Sequence, residues 1–250
     1  MSQVDFNETP IRQRCIAFCL MMLIAFLLPT GCDMPVQQGI KGSEQDRKMQ
    51  CVNNIKQIAL AMHVYHDANR CLPPAYTVDE NGKPLHSWRV ALLPYMEQMA
   101  LYDAIRHDEP WDSEHNKQFH SRMPAVYCCP SADGDDHSMT GYSVVVGEEA
   151  PFGDPTTKLT FGNISDGLSN TIFLVERKKP VCWMDPTQEI TFEEACKGVN
   201  VSENGMGSNH SKGMNVGVFD GSMQFISDTV DPKDLRGGLT NAGGESVRPF

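Results

Sequence analysis

What this 250-residue chain lacks narrows the field first. It has no Lys/Arg cluster interleaved with aromatics, and 32 acidic side chains outnumber 21 basic ones, for a formal net charge of −11. Such a surface repels phosphate backbones, which sets nucleic acid aside as a partner. There is no H-E-x-x-H, no G-x-S-x-G, no Walker A loop and no G-x-G-x-x-G opening a helix. Those absences remove the common signatures of metalloproteases, α/β-hydrolases and nucleotide binders. No two cysteines form a C-x-x-C pair. Low-complexity tracts are missing as well, and with 40% hydrophobic residues the chain can bury one sizeable core.

One apolar run is present, and it is short. Cys15 to Leu28 is uncharged and follows Arg12 and Arg14; at 14 residues it falls short of the roughly 20 that span a bilayer. A basic start, a short apolar stretch and small residues at its exit are the layout of an export signal. Thr30-Gly31-Cys32 resembles the lipobox of bacterial lipoproteins, with Pro29 setting Leu28 one place back. The resemblance implies cleavage before Cys32 and a diacylglycerol on its sulfur; an uncleaved signal anchor is the alternative. Either places the rest of the chain at the extracytoplasmic face of a bacterial membrane. The expected organisation is an export signal over 1–31, a polar tether over 32–45 and a single domain over 46–250.

That compartment governs the cysteines. With Cys15 and Cys19 in the signal and Cys32 as lipid acceptor, six remain: Cys51, Cys71, Cys128, Cys129, Cys182 and Cys196. An even number in an exported domain favours disulfides over zinc. Cys51 and Cys71 on one helix would stand about 30 Å apart and cannot pair. Cys182 and Cys196, which bracket a short polar loop, are the best candidate pair.

From Ser43 to Arg70 there is no proline or glycine. At 100° per residue Cys51, Val52, Ile55, Ile58, Ala59, Met62 and Tyr65 share one arc, with Asn53, Asn54, Gln57 and Ala61 opposite. Ser43 with Asp46 suits a capping start, and Pro73-Pro74 closes the segment. Asn81-Gly82 marks a turn, and Pro94 interrupts a helical pair over 87–105. Beyond Gly141 the texture becomes short strand-like runs: YSVVVG, KLTFGNI, TIFLVE, MNVGVF and SMQFIS. One long helix followed by a late antiparallel sheet predicts an α+β domain.

The candidate chemistry is sparse. Asp220-Gly221 between two apolar runs signals a hairpin, with Val216, Val218, Met223 and Phe225 sharing faces across it and Gly221 supplying a positive φ. His210 precedes the first of those strands and is read as architectural. Its alternatives are a triad with Asp220 and a serine (Ser208, Ser211 or Ser222), or a metal or ligand site. Asp166-Gly167 with Ser169, Asn170 and Thr171 predicts a second side-chain-bonded turn feeding a strand. His63, His66 and Asp67 have helical spacing for a metal, but His66 lies on the apolar arc, so packing is its expected fate. Asp133, Asp135 and Asp136 are weak calcium candidates in a loop without the glutamate of an EF-hand. No catalytic residue and no cofactor are expected.

Several ordered segments together carry a resemblance: CVNNIKQIALAMHVYHDANRCLPPAY, NGKPLHSWRVALLPYMEQMALYDAI, EPWDSEHN, CPS, ISDGLSNTIFLVE and the His-x9-Asp-Gly stretch from His210 to Gly221. They resemble the planctomycete-type family of domain of unknown function 1559, which carries a prepilin-type processing-associated His-x9-Asp-Gly domain. The resemblance implies a pilin-like architecture, a long N-terminal helix on an antiparallel sheet, and no transferable activity. A pilin's apolar stem runs straight into its helix, whereas here a polar tether intervenes. The expected function is therefore a non-enzymatic, membrane-anchored envelope protein acting through contacts with other envelope proteins. A ligand- or calcium-binding lipoprotein is the alternative.

Overall fold

A computed structural model describes residues 42–131, 136–241 and 243. The apolar run, Cys32, the tether up to Lys41, Asp133 and Asp135 lie outside the described residues.

Ser43 is non-helical, and its hydroxyl accepts from the Asp46 N–H at 3.2 Å while the Asp46 carboxylate accepts from the Ser43 N–H at 2.9 Å. This reciprocal capping starts helix α1 (Glu44–Asn69) where the sequence places it. The helix ends when Arg70 turns left-handed and its N–H bonds to the His66 carbonyl at 2.7 Å. Cys51, Ile55, Ile58, Ala59 and Met62 are buried as expected, but so are Asn54 and Ala61 from the opposite side. The helix is covered on more than one flank, by the sheet and by short helical segments. Asn54 tolerates burial because its amide donates to the Cys128 carbonyl at 2.8 Å and the Tyr142 hydroxyl at 3.3 Å.

Next come β1 (Tyr76–Val78) and β2 (Pro84–Ser87), an antiparallel pair joined through Asn81-Gly82 with Gly82 at φ +80. Helices α2 (Trp88–Leu92) and α3 (Met99–Ala104) are separated by a 3-10 turn that contains Pro94. Strands β3 (Met139–Ser143), β4 (Val145–Val146), β5 (Ile172–Cys182) and β6 (Ile190–Thr191), the single-turn helix α4 (Phe192–Ala195), strands β7 (Gly213–Val218) and β8 (Met223–Ser227) and helix α5 (Pro232–Leu239) complete the order. Four of the strands form an antiparallel sheet in the order β3-β5-β7-β8. The expected α+β arrangement, a long N-terminal helix packed on an antiparallel sheet, is what the chain forms. One expected strand, KLTFGNI, is instead a 3-10 turn (Phe161–Asn163) whose Phe161 ring packs on His63 and His66.

The sheet carries a core on each face. One, with Ile55, Ile58, Met62, Leu174 and Trp183, lies on the α1 side; the other, with Val175, Met214, Val216, Ile226 and Leu235, lies on the side of α4 and α5. Side-chain alternation along β5 sends Val175 to the second core and Leu174 with Glu176 toward α1.

The β7–β8 hairpin forms at Asp220-Gly221, but its register differs from expectation. A two-residue turn would pair Val216 with Phe225. Instead Val218 N–H bonds to the Ser222 carbonyl and Val216 pairs with Gln224, which leaves Phe219, Asp220 and Gly221 in the turn. One extra turn residue flips every β8 side chain to the other face. Met214, Val216 and Ile226 therefore share the second core, while Phe225 is partly exposed with the Lys48 ammonium over its ring.

Candidate functional site

Four polar side chains from four distant segments converge beneath α1: Cys51 from the helix, Cys129 from the loop after a 3-10 turn, Glu176 from β5 and His210 from the approach to β7. Their ligand-type atoms all lie within 4.8 Å of one another, and all four residues are buried. The sulfurs of Cys51 and Cys129 approach to 2.6 Å. His210 Nε2 lies 3.4 Å from Glu176 Oε1.

The local sequence explains each placement. One helical turn after Cys51, Asn54 grips the Cys128 carbonyl and so holds the Cys128-Cys129 loop against α1. Glu176 faces α1 by strand parity, and its Oε2 accepts from the Asn215 N–H at 2.7 Å. Ser208 accepts from the His210 N–H at 3.1 Å and donates to the Gly213 carbonyl at 2.7 Å, which fixes the bend that turns the imidazole inward. On the outer side His210 Nδ1 meets Glu44 Oε1 at 2.8 Å. An ionised carboxylate only accepts, so Nδ1 carries the hydrogen there. Nε2 then points into the cluster, where it has no hydrogen-bond partner.

The electrostatics are those of a site that draws positive charge. Burial opposes protonation of His210, but the surrounding Cys129, Glu176 and Glu44 outweigh it and raise its pKa to about 10. The hydrogen bond between the two thiols lowers the pKa of Cys129, with His210 adding to the effect. The same hydrogen bond, together with burial, raises the pKa of Cys51. Glu44, bonded to His210 and to Arg47, is held below the usual carboxylate range.

The other sequence candidates scatter. Asp220 is exposed at the turn, where it accepts from the Ser222 N–H at 2.8 Å. His210 lies beyond the far end of β7, which at about 3.3 Å per residue is roughly 20 Å away. The His210–Asp220 pair of a triad is therefore not formed; Ser208 serves the bend and Ser211 is exposed. Asp166 and Asn170 do build a turn: Gly167 has φ +96, and the Asn170 side chain donates to the Asp166 carbonyl at 2.9 Å. Asp166 Oδ2 also accepts from the Thr240 hydroxyl at 3.1 Å and the Gly243 N–H at 2.8 Å. Ser169 is exposed, and Thr171 rather than Ser169 supplies the second side-chain bond, to the Gly167 carbonyl at 3.1 Å. His63 and His66 flank the Phe161 ring and do not form a ligand set with Asp67. Asp136 Oδ1 accepts from the Ser138 N–H and hydroxyl at 2.8 and 2.6 Å.

The expected Cys182–Cys196 disulfide is not formed; both cysteines are free. Cys182, at the end of β5, packs against the core on the α1 side, whereas Cys196 packs against the other core, with its sulfur 3.7 Å from Arg236. The loop between them crosses from one core to the other and does not close on itself.

With this geometry in view, the comparison with protein families is decisive. The model described as "Protein of unknown function (DUF1559)" matches residues 43–152 and 181–233, more than half of the chain. The chain belongs to this family. No curated protein and no solved structure matches it. Four of the six segments that carried the resemblance each deliver one member of the cluster: Cys51 opens the first, Cys129 stands in CPS, Glu176 ends ISDGLSNTIFLVE and His210 opens the last. Of these four only His210 stands out in the sequence as a candidate site residue; Cys51 reads as part of the apolar arc and, with Cys129, as one of six cysteines open to disulfide pairing. Glu176 and Glu44 carried no local signal at all.

Proposed function

We propose that this member of the family is a non-enzymatic, membrane-anchored protein of the bacterial cell envelope. In this reading its pilin-like domain is a rigid body that acts by contact with other envelope proteins. The observation that carries the reading is enclosure: the four clustered side chains Cys51, Cys129, Glu176 and His210 face one another under α1, all buried, so they brace the fold and meet no substrate. The export-type segment ahead of the domain supports the location. Capping at Ser43 supports an anchored protein over a filament subunit, because α1 starts afresh at Glu44.

The test is the intact mass and N-terminal chemistry of the membrane-extracted protein beside a Cys32→Ala variant. A mature chain that begins at a lipid-modified Cys32, with the modification lost in the variant, is the expected result. An uncleaved chain indifferent to Cys32 would overturn the lipoprotein anchor, and recovery in the soluble cytoplasmic fraction would overturn the envelope reading altogether.

A further inference from the structure

The cluster is built like a metal centre. Four potential ligand atoms of mixed type, two sulfurs, an imidazole nitrogen and a carboxylate oxygen, converge from four segments. The His210 side chain is fully enclosed, and its Nε2 faces Glu176 Oε1 at 3.4 Å with no hydrogen-bond partner among the described residues. A buried polar atom left in that condition carries a desolvation cost that a ligand would remove. The surroundings have the arrangement found outside metal ligands, in which the second ring nitrogen of a ligating histidine donates to a carboxylate and the ligating carboxylate is itself hydrogen-bonded. Here Glu44 fills the first role toward His210 and the Asn215 N–H fills the second toward Glu176.

We propose that Cys51 Sγ, Cys129 Sγ, Glu176 Oε1 and His210 Nε2 bind one zinc ion in a closed, structural site. Two thiolates exclude calcium and magnesium as the preferred guest, because those ions take oxygen ligands. Four protein ligands leave no open position of the kind a catalytic zinc keeps. Binding releases the thiol protons of Cys51 and Cys129, and any proton on His210 Nε2, while Nδ1 keeps its hydrogen on Glu44. The sulfurs, 2.6 Å apart, must separate to the roughly 3.8 Å that two thiolates span across a tetrahedral zinc. They must close to about 2.05 Å to form a disulfide instead. The proposal thus has a sharp competitor, the Cys51–Cys129 disulfide that an extracytoplasmic location favours.

The experiment is elemental analysis of the full-length protein extracted natively from membranes, beside peptide mapping of Cys51 and Cys129 in a parallel sample whose free thiols are blocked in acid at lysis. About one zinc per chain in native extracts, and both cysteines recovered as blocked thiols, is the expected result. A Cys51–Cys129 disulfide in the acid-trapped chain overturns the proposal. So does a protein that arrives without zinc and, once reduced, takes up neither zinc nor cobalt. Because Cys51→Ser and His210→Ala can fail to fold, the second variant is Glu44→Gln, which leaves all four ligands in place. It is expected to fold and to weaken zinc affinity by about 10- to 100-fold. Cobalt bound to the reduced wild type should show the thiolate charge-transfer absorption and intense visible bands of a tetrahedral sulfur-ligated ion. A folded Glu44→Gln protein with unchanged affinity, or a cobalt spectrum without thiolate absorption, would also overturn the assignment.

Discussion

Arg89 and Glu189 meet in the core much as Cys51, Cys129, Glu176 and His210 do, from positions far apart in the chain and out of contact with water. The two centres differ in how completely they satisfy themselves. Arg89 Nη1 reaches Glu189 Oε1 at 2.6 Å and its Nη2 donates to the Tyr142 carbonyl, while Glu189 Oε2 accepts from the Ser143 hydroxyl at 2.7 Å and the Val144 N–H at 3.0 Å. Opposite charges cancel, and only Arg89 Nε is left without a partner. In the cysteine–histidine cluster Cys129, Glu176 and Glu44 favour positive charge at the His210 imidazole, and two thiols stand beside it without a counter-ion of their own. The first centre is complete as an ion pair, whereas the second has the form of a receptor for an ion. Burial and long-range convergence alone do not distinguish the two; the balance of donors, acceptors and charge does.

The strongest test of that contrast is to break the self-sufficient centre. Arg89→Ala leaves the Glu189 carboxylate buried without its counter-ion and should cost about 3–5 kcal/mol in urea denaturation. The double replacement by Arg89→Met and Glu189→Leu should recover most of that loss, because a buried ion pair is worth little more than apolar packing. Neither variant should change the zinc content. Metal removal probes the other centre. With free zinc near 1,000-fold above its dissociation constant, binding adds about 4 kcal/mol to stability, so a strong chelator should lower Tm by the matching amount. Cys51→Ser, if folded, should show no chelator response.

His86 offers a control for His210. It too is buried with an unpartnered ring nitrogen, Nδ1, but its neighbours are the Arg106 carbonyl and the His107 ring rather than thiols and carboxylates. Burial, aided by His107, lowers its pKa to about 4. The folded value lies below the unfolded one near 6.5, so the unfolded chain takes up the proton more readily. The contribution is fully present above pH 6.5 and is lost as pH falls toward 4. At about 1.4 kcal/mol per pKa unit, wild type should lose roughly 3 kcal/mol more than His86→Leu over that interval. Equal losses in chemical denaturation at pH 7 and pH 4 would show that this histidine is already protonated in the fold. The smallest effect belongs to the helix start: Ser43→Ala should cost about 1 kcal/mol by loss of the cap, with zinc content unchanged.

Much of the scaffold could be read in advance. The capping pair at Ser43 and Asp46, the apolar arc of α1, the interruption at Pro94 and the turns at Asn81-Gly82, Asp166-Gly167 and Asp220-Gly221 depend on neighbours within a few residues. What failed was parity and pairing. Phe225 was assigned to a face shared with Val216, and a single additional residue in the turn reversed it. Asn54 lies opposite the apolar arc in the sequence pattern, yet the carbonyl of Cys128 draws it inside. Cys182 and Cys196 were joined because they are near in sequence, yet the sheet sets them against different cores.

By itself the sequence determined the class of the chain, the limits of its helix, the places where it turns and the family to which it belongs, because all of these rest on local spacing or on linear motifs. The tertiary structure alone decided that Cys51, Cys129, Glu176 and His210 face one another, and that Glu44 stands behind the histidine. The physical reason is that their meeting depends on strand parity in β5, on the bend at Ser208 and on the packing of α1 across the sheet. None of these is encoded within reach of a single residue, and each must be correct before four side chains can share one point.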